Sequence, residues 1–402
     1  MSLVEVLVWS YNSVVGDQRH SRIPLNPALA VAVLVLAQSF AGAQDRNQLI
    51  FRQDLGGLGY KFHYNENDGV IRSFTDLAFL SEDLLLLSVR EVRREELHHN
   101  VPPGRPVVHD DRAGVRTSSD SVSTLLLFSV EKKKLVRSAE FPILKLGGSV
   151  QAAGIGRFLM LTSSGLQMCA ADFQCELAWR TEDPFYTSPR GTRVVVGGFK
   201  SDVVTGSLQF TEQQLLDTGT FSILQTFPAS RPKVIPGDTG LLLQDSGAKL
   251  QMPGHEPLLL RLEGTYMLPE TRFLDDSTVI GVRMGESHAR AVVVSVDGKE
   301  LYNLELKGDS ADFFTSVSGA RFGMIEMYST RFASIVHYLD VEGTPLNRIR
   351  ARVFEAASGK QVFETDWDPG SYRGSGIVPA LSPAGHRLAL ARKGELRVYE
   401  IP

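Results

Sequence analysis

The densest group of side chains that could perform chemistry lies in one polar stretch, residues 91–121. Its imidazoles and carboxylates could bind a divalent transition metal, and the candidate ligands are His98, His99, His109 and Asp110. No His-x-x-x-His or His-x-His spacing fixes their geometry, and the neighbouring prolines, glycine and charges are typical of a solvated loop. We therefore predict a loop without a bound metal, and no cofactor site elsewhere in the chain.

The two cysteines form the second candidate group. Cys169 and Cys175 are the only cysteines in the sequence, and the segment between them predicts two strands joined at Asp172 and Phe173. That arrangement places the two sulfurs on facing strands within bonding distance. We predict a disulfide. Two separate buried thiols are the alternative, and metal binding by only two sulfurs is less favoured than either.

Carboxylates that are close in sequence occur at two further places, and such groups can act in acid–base catalysis or bind calcium. They are Asp275 with Asp276, and Asp366 with Asp368. Aspartate favours turns because its side chain accepts hydrogen bonds from nearby backbone amides. The alternating oxygen ligands of a calcium loop are missing from the sequence. We predict turns at both places and assign no catalytic residue.

The N-terminal region has the order of features of a secretory signal peptide. A positive segment, residues 19–22, precedes the apolar run Ala28–Ala37, which is too short to span a bilayer as a helix. The small residues Ala41-Gly42-Ala43 then provide a cleavage site. We predict a signal peptide over residues 1–43 and an exported mature chain, periplasmic or extracellular, without a membrane span. A buried N-terminal helix is the alternative.

Two details of this region refine the prediction. Residues Leu3–Trp9 place another apolar stretch ahead of the positive segment, which predicts that translation begins later, near Val14 or Val15. No cysteine follows the cleavage site, so the sequence does not predict a bacterial lipid anchor.

Composition disfavours one class of function. The 402-residue chain has 43% hydrophobic and 22% charged residues, which is ordinary for a soluble globular protein. Its net charge of −4 gives no broad basic surface for phosphate backbones. We predict no binding of nucleic acid, and a monomer with one folded domain over residues 44–402.

A turn followed by an apolar strand recurs along the chain, whereas helix-like spacing after residue 45 is confined to Thr211–Asp217. The clearest copies of the repeat are Thr187–Val196 and Leu381–Leu390, each with a Ser-Pro-x-Gly turn before the strand. Most intervals between copies match one four-stranded blade, and the two longest contain insertions at residues 91–121 and 328–348. The sequence therefore predicts an all-β propeller of seven four-stranded blades, with apolar strands that begin at Leu84, Phe158, Val194, Leu241, Val279, Phe322 and Leu388.

Hairpins complete most of these units. Asp297-Gly298 and Ser358-Gly359 supply the positive φ angles that tight hairpin turns need, and Lys132–Lys134 lies at a third hairpin tip. The last unit stops at Pro402, one strand short of a blade. Because the β-prone run Gln48–Gln53 can add the missing outer strand, we predict that an N-terminal strand closes the ring.

The repeats resemble those of known propellers. The Ser-Pro-x-Gly turns are similar to those of bacterial TolB-like and WD40-like repeats, and the Asp-Gly-Lys and Ser-Gly-Lys hairpins resemble those of quinoprotein-type propellers. The resemblance spans about residues 70–402 and implies the ring fold. Its motifs describe blade geometry and imply no activity.

Two classes of function are compatible with such a ring. We predict a non-catalytic binding or protein-interaction module that binds a protein or a small ligand on one face, the face with residues 91–121. Insertions in repeat arrays collect on the binding face. The alternative is a propeller enzyme with its site at the central channel, either a metal-assisted hydrolase or lyase or a quinoprotein-like oxidoreductase. No triad, metal motif or cofactor loop in the sequence favours the enzyme.

Overall fold

Short antiparallel β-strands make up almost all of the regular structure. A computed structural model of the chain describes residues 49–60, 70–93, 122–142, 150–201, 208–229, 233–244, 247–262, 271–285, 289–308, 310–329, 346–367, 377–392 and 394–402. Within these residues there are 30 strands and one short 3-10 helix, Gly56–Leu58. No helix among them is long and apolar enough to cross a membrane. The predicted signal peptide, residues 1–43, lies outside the described residues.

The strands form seven four-stranded antiparallel blades, as predicted, with the first strand of each blade innermost and the last outermost. Blade 1 contains β2 (Val70–Phe79), β3 (Leu84–Arg93), β4 (Val122–Ser129) and β5 (Lys134–Pro142). Blade 2 contains β6 (Val150–Ala152), β7 (Arg157–Thr162), β8 (Gly165–Ala170) and β9 (Cys175–Trp179). Blade 3 contains β10 (Phe185–Thr187), β11 (Arg193–Val196), β14 (Gln213–Asp217) and β15 (Ile223–Phe227), with a separate two-stranded ribbon of β12 (Phe199–Ser201) and β13 (Leu208–Phe210).

The remaining blades follow the same order. Blade 4 contains β16 (Lys233–Pro236), β17 (Leu241–Gln244), β18 (Ala248–Gln251) and β19 (Leu258–Leu260). Blade 5 contains β20 (Arg272–Phe273), β21 (Thr278–Met284), β22 (Ala289–Ser295) and β23 (Glu300–Glu305). Blade 6 contains β24 (Ser310–Thr315), β25 (Arg321–Ser329), β26 (Leu346–Glu355) and β27 (Gln361–Trp367). Blade 7 contains β28 (Val378–Leu381), β29 (Arg387–Arg392), β30 (Glu395–Glu400) and β1 (Leu49–Asp54).

The N-terminal strand closes the ring, which confirms the prediction from Gln48–Gln53. Strand β1 pairs antiparallel with β30 and becomes the outer strand of blade 7. Phe51 and Leu55 are buried in the apolar core between blades 7 and 1, where the Phe51 ring centroid lies 5.9 Å from that of Phe128. The first and last parts of the described ring are thus joined by both hydrogen bonds and side-chain packing.

The apolar residues form seven separate cores, one between each pair of neighbouring blades. Alternation along the second strands explains this arrangement, because successive side chains point to opposite faces of a sheet. Val194 and Val196 pack towards blade 2, whereas Val195 packs towards blade 4. Since both faces of each blade are covered, the second strands are nearly continuous in apolar residues. All seven predicted apolar strands coincide with second strands, β3, β7, β11, β17, β21, β25 and β29.

Thr211–Asp217, the one segment with helix-like spacing, contains a strand, in keeping with the predicted all-β fold. Residues Gln213–Asp217 form β14, and Leu215 and Leu216 point to opposite sides of blade 3. Because this strand is covered on both faces, adjacent residues are both apolar, and over so short a segment this pattern mimics a helix.

Two hydrogen bonds and one close contact stabilise the Ser-Pro-x-Gly turn and explain why these residues recur. The Ser188 hydroxyl accepts a bond from the Arg193 backbone N–H at 3.0 Å, and the Gly191 N–H donates to the Ser188 carbonyl at 2.8 Å. Gly191 has a φ of +69° and approaches Ala153 so closely that a Cβ would lie 2.6 Å from its Cα. Glycine is therefore required there. The copy at Ser382 makes the same two bonds.

The strand order gives the ring two different faces. Connections from first to second strands, and hairpins from third to fourth strands, lie on one face, which we call the turn face. Connections from second to third strands and from each blade to the next lie on the other, which we call the long-loop face. The insertions predicted at residues 91–121 and 328–348 both join second to third strands, β3 to β4 and β25 to β26, and the strand ends that they connect lie at the long-loop face.

Candidate functional site

The seven innermost strands enclose a central channel with a cavity of about 450 Å³. This volume lies within the usual range for small-ligand sites, roughly 300–1,000 Å³. The lining is mixed, with apolar side chains between a few polar ones. The polar side chains with titratable or amide groups are Asp76, Gln151, Tyr186, Arg272 and Asp312.

Two of these groups bond to neighbouring innermost strands. Asp76 Oδ2 accepts a hydrogen bond from the Val150 N–H at 2.9 Å, which joins blades 1 and 2. Gln151 joins blades 2 and 3, because its amide donates to the Phe185 carbonyl at 3.0 Å and accepts from the Thr187 N–H at 2.8 Å. Innermost strands have one edge without a strand partner, so side chains that reach these edges satisfy backbone groups. Asp76 and Gln151 therefore support the ring.

The charged groups of the channel lie beside one another across blade boundaries. Arg272 Nη2 is 3.6 Å from Asp312 Oδ1, and Arg272 Nη1 donates to the Phe313 carbonyl at 2.9 Å. The Lys233 ammonium is 4.1 Å from the centroid of the Tyr186 ring. Both members of the Arg272–Asp312 pair are about half exposed, so solvent screens their attraction. A ligand in the channel would meet the Arg272 guanidinium and the Asp312 carboxylate, whereas Lys233 is not among the lining residues.

The turn face shows a different use of polar groups, since there they join successive turns. At the closure of the ring, Glu82 Oε1 accepts a bond from the Ala384 N–H at 2.6 Å, and Arg387 donates to the Glu82 carbonyl. Between blades 6 and 7, Arg321 donates to the Gly385 carbonyl at 3.1 Å. These contacts hold the turns of neighbouring blades in a fixed arrangement.

The predicted disulfide between Cys169 and Cys175 is present. The two residues are directly opposite in the β8–β9 ladder, with a Cα–Cα distance of 4.1 Å. The turn between them includes Asp172 and Phe173, as predicted, and Phe173 has a φ of +64°. The Phe173 ring packs edge-on against Phe158 in the core between blades 1 and 2. The bond therefore fixes a hairpin that carries a core side chain.

Of the carboxylates predicted to lie in turns, Asp275 does so and Asp366 does not. Asp275 Oδ1 accepts bonds from the Ser277 N–H at 2.7 Å and the Thr278 hydroxyl at 2.8 Å. Asp366 lies within strand β27, and its carboxylate pairs with Arg348 and Arg350 on β26. The prediction for Asp366 is wrong because its pairing partners are remote in sequence. Asp368 lies outside the described residues.

Blade 6 carries a ladder of arginines that sequence reasoning missed. Arg348, Arg350 and Arg352 alternate along β26, so they share one face of the strand. Arg352 Nη2 lies 2.8 Å from the carboxylate of Glu326, which is fully buried and also accepts a bond from the Lys307 N–H of blade 5. The every-second-residue spacing was the signal that could have revealed them.

Ionisation in this ladder follows from burial and pairing. Desolvation opposes ionisation of Asp366, but hydrogen bonds from Arg348 and Arg350 outweigh it and lower the pKa of Asp366. Burial, followed by the negative charge of Glu326, raises the pKa of Tyr328 to about 12. The charges are matched within blade 6. The ladder also joins blades 5 and 6, because Arg352 donates to the Glu305 carbonyl and Glu326 accepts from the Lys307 N–H.

The candidate metal ligands His98, His99, His109 and Asp110 lie outside the described residues. Among the residues that the structure does describe, no group of three or more metal-ligating side chains is found. The hairpin tip predicted at Lys132–Lys134 is present, with a turn over residues 130–133 and β5 beginning at Lys134.

The order of the strands, the closure by β1 and the central channel define a seven-bladed β-propeller. No protein-family model matches the sequence, and no curated protein matches it. Solved structures of other propellers are similar to it. The Pan2 WD40 domain of Neurospora crassa has a TM-score of 0.47 and 9% identity, over 88% of this chain and 95% of that one.

Two bacterial structures are similar over smaller shares. BamB from Moraxella catarrhalis has a TM-score of 0.37 and 12% identity, over 81% of this chain and 83% of that one. TolB from Acinetobacter baumannii has a TM-score of 0.35 and 13% identity, over 71% and 77%. Because these TM-scores and identities are low, the assignment of the fold rests on the strand order of this chain. The resemblance of the repeats to propeller repeats is confirmed as a resemblance of fold.

Proposed function

We propose that the chain is an exported, non-catalytic binding module, and that its partner protein docks on the long-loop face. The observation that carries the proposal is the uneven length of the connections on the two faces. Second-to-third strand connections are long in three blades, at residues 94–121, 197–212 and 330–345. On the turn face, the longest connection within a blade is residues 252–257.

This asymmetry favours the long-loop face because insertions vary where a repeat array binds its partner, and the blades themselves only position them. The connection in blade 3 contributes the ribbon β12–β13. The two other long connections leave the same face from blades 1 and 6. The longest connections of the ring therefore start and end on this face, in three separate blades.

The alternative, an enzyme with its site at the central channel, has less support. Asp76 and Gln151, two of the polar side chains of the channel, bond to neighbouring strands. Arg272 and Asp312 lie beside one another. A catalytic acid or base needs access to a substrate proton. Asp76 and Gln151 are engaged with the fold, and the half-exposed Asp312 is paired with Arg272.

Export is supported by two features of the chain. Residues 1–43 have the order of a signal peptide. The Cys169–Cys175 bond is of a kind that persists mainly in oxidising compartments. A periplasmic or extracellular site of action follows from both features together.

Photo-crosslinking from the two faces tests the proposal. A photoreactive residue at Met284, which ends β21 on the long-loop face and is 53% exposed, should capture a discrete partner in living cells. The matched control is Ile155, which lies in a turn-face connection and is 72% exposed. Capture from Ile155 alone, or from neither position, would contradict docking on the long-loop face.

A further inference from the structure

The outer strand of blade 3 is an exposed sheet edge without charged side chains. Among the strands that the structure describes, β15 (Ile223–Phe227) pairs only with β14. Its first four residues are all exposed, with Ile223 and Leu224 each 49% accessible to solvent. The strand contains no charged residue. A row of free backbone donors and acceptors between apolar side chains is a template for another strand.

The other outer strands are protected against such pairing. Charged side chains on an edge strand disfavour the addition of a further strand, and five of the other six strands carry them: β1, β5, β9, β23 and β27. The sixth, β19, is also uncharged and has only three residues, and a proline adjoins it (Pro257) as one adjoins β15 (Pro228). Among the described outer strands, β15 is thus the longest without a charged residue.

Apolar exposure alone does not single out blade 3, because a recurring bulge explains part of it. In blades 1, 3 and 5 the ladder between third and fourth strands skips one residue near the start of the outer strand. The skipped residues are Val136, Leu224 and Leu301, and all three are between 41% and 49% exposed. Leu301 therefore provides an equivalent of Leu224 on a strand that also carries Glu300 and Glu305.

We infer that a second copy of this chain pairs with β15 edge to edge. The two strands run antiparallel across a two-fold axis at Gln225, which joins the two blades into one eight-stranded sheet. In that register Gln225 faces its own counterpart, Leu224 faces Thr226, and Ile223 faces Phe227. The strand is self-complementary, since no charge meets a like charge and each aliphatic residue meets a methyl-bearing or aromatic one.

The neighbouring blades support a second copy as the occupant. A stable interface buries about 1,000 Å² or more in total, which is more than two short strands provide. Leu177 on β9 and Leu259 on β19 are 46% and 63% exposed. Each is the middle residue of its outer strand, as Gln225 is of β15.

The symmetry brings these leucines towards their own counterparts. A two-fold axis perpendicular to the blade 3 sheet preserves the direction from blade 2 to blade 4. Blade 2 of one copy therefore faces blade 2 of the other, and blade 4 faces blade 4. The contact extends from β15 to Leu177 on one side and Leu259 on the other. This inference replaces the monomer that the sequence predicts, and it does not depend on the proposed function, which uses another surface.

Sedimentation equilibrium of the purified full chain tests the pairing. The wild-type chain should sediment as a dimer, and Leu224→Lys should weaken dimerisation by about 100-fold, because a lysine would enter the new strand pair. Leu301→Lys is the matched control and should leave the dimer intact. A wild-type chain that sediments as a monomer at the highest attainable concentration would overturn the inference. The edge would then be open to a strand of another protein. Equal weakening by both variants would overturn it as well.

Crosslinking checks the register independently. Residues directly opposite in an antiparallel pair have Cα atoms roughly 4.5–5.5 Å apart, which suits a disulfide. Gln225→Cys should therefore give a covalent dimer under mild oxidation. Thr226→Cys, one residue from the axis, should not, since it faces Leu224 of the other copy. A covalent dimer from Thr226→Cys and none from Gln225→Cys would exclude the proposed pairing.

Discussion

Asp238 of blade 4 accepts a hydrogen bond from the Ser188 hydroxyl of blade 3, with 2.6 Å between the two oxygens. The same carboxylate accepts a bond from the Arg190 N–H and another from the Thr192 hydroxyl. Ser188 is also the serine that holds the Ser-Pro-x-Gly turn together. One carboxylate therefore fixes the turn of blade 3 and joins it to blade 4, so the repeat motif serves both the turn and the ring.

Replacing Asp238 by alanine should lower the free energy of unfolding by about 2–3 kcal/mol, since hydrogen bonds to a charged acceptor contribute about 1.5–3 kcal/mol. Urea unfolding of the full chain measures the change. Asp297→Ala is the control, because that carboxylate lies on the same face but bonds only within its own hairpin, to Ser295. Its unfolding midpoint should equal that of the wild type. A midpoint for Asp238→Ala that equals the wild-type value would show that the joint does not need this carboxylate.

Most of the ring was predictable because its signals are local. The seven second strands, the hairpin at Cys169 and Cys175, and the closing strand each follow from a short run of residues with strand periodicity and turn chemistry. The spacing in Thr211–Asp217 is helix-like because five residues of a strand covered on both faces have no clear period.

The candidate site was not predictable in the same way, since its residues meet only after the ring closes. Gln151 and Arg272 line one channel, although they belong to blades 2 and 5. The turn preference of aspartate predicts a turn at Asp366, whereas its partners Arg348 and Arg350 lie on a different strand. Long-range pairing of this kind leaves no mark within a short sequence window.

Phe51→Ala should destabilise the closed ring by about 3 kcal/mol or more, the usual cost of removing a buried aromatic side chain. Phe51 is only 3% exposed and packs against Phe128 of blade 1. Deletion of residues 44–55 should have a larger effect and lower the melting temperature sharply. Arg52→Ala is the control, because Arg52 is 64% exposed and its pair with Glu395 is screened. An unchanged melting temperature after the deletion would refute closure by β1.

Removal of the disulfide should cost about 2 kcal/mol, the chain-entropy value for a loop of this length. The variant Cys169→Ala with Cys175→Ala should unfold at lower urea concentration than the oxidised wild type. Reductant should shift the wild type alone, which serves as the internal control. Alkylation followed by intact-mass analysis reports the redox state, and two free thiols in exported protein would contradict the bond under native conditions.

Cleavage should occur after Ala43, where the positive segment, apolar run and small residues end in the order that signal peptidase requires. N-terminal sequencing of the exported protein should therefore begin at Gln44. Ala43→Pro should block processing, because a rigid ring does not fit a small-residue cleavage site, whereas Ala43→Ser should preserve it. An exported chain that begins before residue 30 would be incompatible with this signal.

Low pH should reduce the stability that the pairing of Asp366 with arginines gives to the β26–β27 strand pair. Pairing with Arg348 and Arg350 lowers the pKa of Asp366 in the folded chain despite its partial burial. Folding therefore favours the ionised carboxylate, and the resulting stability is fully present above the unfolded pKa of about 4. It is lost as the pH falls through the lower folded-state pKa.

Asp366→Asn should thus be less stable than the wild type at pH 7, with a smaller further loss of stability between about pH 5 and pH 3. Urea unfolding across this range tests the difference, and parallel curves for the two proteins would show that Asp366 titrates alike in the folded and unfolded chains.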